Sequence, residues 1–123
     1  MKKDRAELPI VYSCSGCSSA AQMANYMAVK LDRTEKAEMS CIVGVGGNVK
    51  KLVKTAKSGR KIVVIDGCPL ACSKAVLKNQ GLAPDLYFEL SKSGVKKKQH
   101  EDFDKQQADE LLLDIEEQLK ELN

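Results

Sequence analysis

The sequence predicts a single α/β domain: a three-layer sandwich around a small, doubly wound, mainly parallel sheet of strand order 2-1-3-4, Rossmann-like in its winding. Three observations carry that expectation. Strand-like and helix-like stretches alternate along the whole chain, which argues for parallel strands joined by helical crossovers. The run Ile62-Val63-Val64-Ile65 is wholly β-branched, the composition of a strand covered on both faces. Crossovers between parallel strands are right-handed, which leaves few windings to choose from.

The elements follow in order. Residues 1–7 are charged and read as an N-terminal tail, and residues 8–123 form the domain. Leu8–Ser13 reads as a short buried strand. Ser18–Leu31 reads as a helix, because Ala20, Met23, Ala24, Met27 and Leu31 recur at helical spacing. Lys36–Cys41 alternates and reads as the second strand. Gly44-Val45-Gly46-Gly47 reads as a flexible turn, and Asn48–Lys57 as a helix capped by Asn48 and ended by Gly59. Ile62–Asp66 is the third strand. Pro69 suits the first position of the next helix, which runs to about Asn79. Asp85–Leu90 is the fourth strand, and Ser93-Gly94 a turn. Val95–Gln99 is either a short edge strand or a basic loop. Asp104–Leu122 is the last helix, with Ala108, Leu111, Leu112, Ile115, Leu119 and Leu122 as its buried stripe.

Composition bounds the function. The chain has 123 residues, 43% apolar and 30% charged, ordinary for a globular domain. A net charge of +3 is too mild to argue for nucleic acid. The apolar patch Leu8–Tyr12 is shorter than a signal-peptide core, and no run approaches the length of a membrane span. The expected location is the cytoplasm, where thiols stay reduced. The expected state is a monomer or a weak homodimer, with no nucleic-acid or membrane partner.

Five cysteines are the chemical signal. Cys14 and Cys17 follow the first strand; Cys68 and Cys72 follow the third. In the 2-1-3-4 order these strands flank the point where the winding reverses, and a crevice opens at their carboxyl ends. Two thiol pairs on two turns are what a tetrahedral thiolate site needs, so Cys14, Cys17, Cys68 and Cys72 are expected as ligands of Zn²⁺. Four thiolates can also hold an iron–sulfur cluster. Cys41 ends the second strand and is expected as an extra ligand or a free thiol. Cys68 at a helix cap and Cys72 one turn on would share a helix face. Gly16 would allow a positive φ. Unpaired N–H groups at two helix N-termini would favour thiolates. Ser13, Ser15, Ser18 and Ser73 would supply hydrogen bonds around the sulfurs, Gly67 would relax the backbone before Cys68, and Asp66 would orient the turn or accept a backbone proton. The alternative is a thiol-dependent redox enzyme, with Cys14 or Cys68 as nucleophile and its partner as the resolving thiol.

Asp66-Gly67-Cys68, the early Cys14-x-x-Cys17, Met39-Ser40-Cys41 with its glycine-rich follow-on, and Cys72 together resemble the DGC domain family over nearly the whole chain. The resemblance implies a zinc-binding protein with four chelating cysteines and leaves the biochemical function open.

Two further features have plain readings. Gly44, Gly46 and Gly47 could cradle an anion, but they lack both the Lys-Ser/Thr ending of a P-loop and the GxGxxG spacing. Lys96-Lys97-Lys98 and the single histidine, His100, read as a solvated surface segment.

Overall fold

The computed structural model describes residues 4–122. Parallel strands β1 (Ile10–Ser13), β2 (Glu38–Met39), β3 (Ile62–Asp66) and β4 (Leu86–Glu89) form one sheet in the order β2-β1-β3-β4. This is the expected doubly wound sandwich. β1 and β3 pair in register from Ile10–Ile62 to Ser13–Ile65, and every residue of both is buried.

Alternate residues of these strands serve opposite layers, as a pleated strand requires. Val11, Val63 and Ile65 pack under α1 (Ser19–Arg33) and α5 (Lys105–Leu122), with Met23, Met27, Leu31, Leu112, Ile115 and Leu119. Ile10, Tyr12, Ile62 and Val64 pack with Val45, Ala56 and Leu77 of α2 (Ile42–Gly46), α3 (Lys50–Ala56) and α4 (Cys72–Asn79). At the amino end of the sheet the Arg60 guanidinium donates to the Leu8 and Arg5 carbonyls at 2.8 Å each and to Glu38 at 3.0 Å. That clamp holds the sheet at the end away from the crevice.

Three local expectations change, and one open alternative resolves. The glycine run is not a loop: Ile42–Gly46 is helical, and Cys41 is its N-cap residue rather than the end of a strand. Glycine lets α3 pack closely there, because a Cβ on Gly44 would stand 1.9 Å from Leu52 Cδ1 and displace that side chain. Asn48 does not cap the following helix; it takes a left-handed φ of 58°, and Val49 is the cap. α4 begins at Cys72, not Pro69. Pro69 instead takes the second position of a β-turn closed by the Ala71 N–H on the Cys68 carbonyl at 3.1 Å, a place its fixed φ suits. Of the two readings of Val95–Gln99, the loop holds and the edge strand does not. Val95 is buried, and Lys98 and Ser19 exchange two hydrogen bonds of 2.9 Å, one from each backbone N–H. The segment is thereby strapped across the start of α1.

Among the described residues no helix is long and apolar enough to cross a membrane.

Candidate ligand site

The site is built on the turns that leave β1 and β3. After β3, Asp66 is fully buried and turns its carboxylate onto the start of α4. The N–H groups of Ser73 and Lys74 donate to it at 2.9 and 3.1 Å, and the Tyr87 hydroxyl donates at 3.1 Å. A carboxylate at a helix N-terminus is stabilised by both the unpaired N–H groups and the helix dipole. Burial, with the nearby Asp66 charge, holds the Tyr87 phenol well above its ordinary pKa, so it serves as a donor. Gly67 comes next because nothing larger fits. Its Cβ would lie 2.6 Å from the backbone carbonyl of Ala20 and 2.8 Å from the Ala21 nitrogen, in the first turn of α1. Cys68 then opens the β-turn that leads to Cys72.

After β1, Cys14–Ser18 turns the chain into α1. The Ser18 hydroxyl accepts from the Ala21 N–H at 3.1 Å, and the Ser19 N–H is taken by the Lys98 carbonyl. Gly16 has no positive φ, and a Cβ there would meet only ordinary contact, 3.6 Å from Ala21 Cβ.

Between the two turns lies a cavity of about 360 Å³. Cys14, Cys17, Cys68 and Cys72 all line it, as do Ser15, Asp66, Gly67, Ser73 and Gly46. The convergence expected from the strand order is therefore present. Cys41, Ser13, Gly44 and Gly47 are not lining residues; Cys41 is an exposed free thiol, and Ser13 is buried with an unpartnered hydroxyl. The walls are completed by Ile42, Val43, Leu70 and Val76, with Lys97 and Gln99 from the strap. Sequence reasoning missed these six. Nothing in the sequence marks them, and only the structure shows Val43 and Leu70 as apolar residues left 79% and 71% exposed beside the opening.

The metal expectation fails here. Among the described residues no three His, Cys, Asp or Glu side chains come together as a site that could hold a metal ion. Neither Zn²⁺ nor an iron–sulfur cluster fits Cys14, Cys17, Cys68 and Cys72, with or without Cys41. The reason is geometric. Cys68 lies in a turn and Cys72 opens the helix, so the pair does not share a helix face. The thiols stand at the walls of an apolar cavity and take separate partners. The Gly67 N–H donates to Cys14 Sγ at 3.2 Å, the Cys17 thiol donates to Gln99 at 3.6 Å, and Lys97 Nζ donates to Cys68 Sγ at 3.5 Å.

The redox alternative fails with it. All five cysteines are free. The helix N-termini expected to activate a thiolate are occupied by Asp66 at α4, and by the Ser18 hydroxyl and the Lys98 carbonyl at α1. Burial pushes the Cys14 thiol up to about 11; the Gly67 N–H opposes this, while Asp66 adds to it. A thiol so placed is the reverse of an activated nucleophile.

Fold and site together define a doubly wound α/β domain with an apolar, thiol-walled cavity at its switch point. The DGC domain model matches residues 10–115, and the chain belongs to that family. The zinc-binding role that the resemblance implied does not carry over to these residues. The chain is similar to the anaerobic and virulence modulator AnvM of Pseudomonas aeruginosa, 51% identical over 109 residues that make up 89% of this chain and 83% of that protein. No solved structure matches it.

Proposed function

We propose that this protein is a regulatory module that takes up a small, largely apolar molecule in the cavity at the carboxyl ends of β1 and β3. The observation that carries this reading is the cavity itself. It lies at the topological switch point, where open parallel sheets bind ligands, and its volume falls in the ~300–1,000 Å³ range of small-molecule sites. Its walls supply apolar contact from Ile42, Val43, Leu70 and Val76. Its polar groups are few, and those of Asp66 and Ser18 are already committed to holding the two helix starts. Such a lining suits binding better than bond making. The description of the relative from Pseudomonas aeruginosa as a modulator supports a regulatory role for the bound state.

A fragment library screened by amide NMR against the full chain tests the reading. Hits are expected to shift resonances of residues 14–18, 66–76 and 97–99 together. Gly46→Leu, which has room for its Cβ 3.6 Å from Val76, is expected to fill the opening and weaken those hits without unfolding the protein. Hits that map elsewhere, or that ignore Gly46→Leu, would remove the proposal.

A further inference from the structure

The cavity has one uncommitted charge, and its sign restricts the ligand. Two lining residues carry an ordinary charged group, Asp66 and Lys97. They are not equivalent. Asp66 is buried, and its two oxygens accept from the Ser73 and Lys74 N–H groups and the Tyr87 hydroxyl. A cationic ligand would find that carboxylate already engaged. Lys97 is exposed, and among the described residues it belongs to none of the ion pairs; its ammonium reaches only the Cys68 sulfur, at 3.5 Å.

Its position is fixed by its neighbours. Val95 is anchored in the core, and Lys98 is locked to Ser19 through two hydrogen bonds, so the backbone on either side of Lys97 is held against α1. Gln99 is tied to Cys17. Lys97 is thus an unpaired cation kept beside an apolar opening. On the inner side, Ser73 lines the cavity and keeps a buried hydroxyl with no partner.

We propose that the ligand is an amphipathic monoanion, an apolar body seated between Ile42, Val43, Leu70 and Val76 with a carboxylate that pairs with Lys97. This rests on the ligand-binding reading above and gives the chemical class of its occupant. An exposed ammonium leaves the anionic group partly in water at the opening, so burying it costs little.

The test is an amide NMR titration of the full chain with three probes of one chain length: octanoate, octanol and octylammonium. Octanoate is expected to bind tightest, with shifts at residues 14–18, 66–76 and 97–99. Lys97→Gln is expected to weaken octanoate about fivefold, the upper range for an exposed ion pair, and to leave octanol unchanged. Lys120→Gln, on the exposed end of α5, is expected to change neither. Equal affinity for all three probes, or an equal loss of octanoate and octanol on Lys97→Gln, overturns the anion pairing and leaves the cavity reading standing. No shift at these residues with any probe overturns both.

Discussion

The turns that leave β1 and β3 carry matching cysteine pairs, yet they are held in opposite ways. The β3 turn is fixed by its own strand. Asp66 reaches forward to cap α4, and Gly67 is pressed against the backbone of α1. The β1 turn has only the weaker Ser18 cap of its own and is held from outside by the strap at Lys98. The comparison shows that the Asp-Gly of the motif is a packing and capping device. The sulfur after it lines the cavity as a consequence of where that device ends.

The contrast is sharpest at the glycines. Gly67→Ala is expected to destabilise the protein by about 3 kcal/mol, because the clash is with backbone that cannot rotate away. Gly16→Ala is expected to stay within about 0.5 kcal/mol, having neither a clash nor a positive φ. Urea midpoints of the two variants decide it, and equal losses would break the distinction between the turns. The caps come next. Asp66→Ala is expected to cost about 2 kcal/mol, since it strands the buried Ser73 N–H, the part-buried Lys74 N–H and the Tyr87 hydroxyl, whereas Ser18→Ala is expected to cost about 1 kcal/mol.

The smallest effect is a pH dependence. The folded state raises the Cys14 pKa from 9.0 to about 11, so the thiol's contribution to stability is complete below about pH 9 and is lost as pH rises through about 11. Melting temperatures are expected to fall more steeply over that interval in the parent chain than in Cys14→Ser. Parallel slopes would mean that Cys14 is no more buried than the thiols of the outer walls.

Much of the fold is legible in the chain because its signals are local. Ile62–Asp66 is predicted to the residue, since an unbroken β-branched run has one reading. Handedness narrows the windings to a few, and the order chosen among them places the four paired cysteines at one opening. What is not legible depends on distant partners. Gly44 and Gly46 read as loop, but both lie in a helix, and at Gly44 the side chain of Leu52 packs where a Cβ would stand. Pro69 reads as a helix start, but the αL conformation of Ala71 delays α4 until Cys72. The metal reading failed for the same reason. It needs four sulfurs to converge on one point, and the turn that holds Cys68 outside the helix begun by Cys72 keeps that pair off a common face. The lysine run hid its role because charge alone does not show what the flanking Val95 anchors.

The cavity has one thick wall and one thin one. Cys14–Ser18 and Ala21 belong to the layer of two long helices, while Ile42, Val43, Gly46 and Val76 stand on helices of five and eight residues over a smaller buried cluster. Short elements with little buried surface open at lower free energy than the sheet beneath them. The thin wall is therefore expected to yield before the thick one, and a molecule settling there would be felt first at α2, whose Val43 stands exposed at the opening.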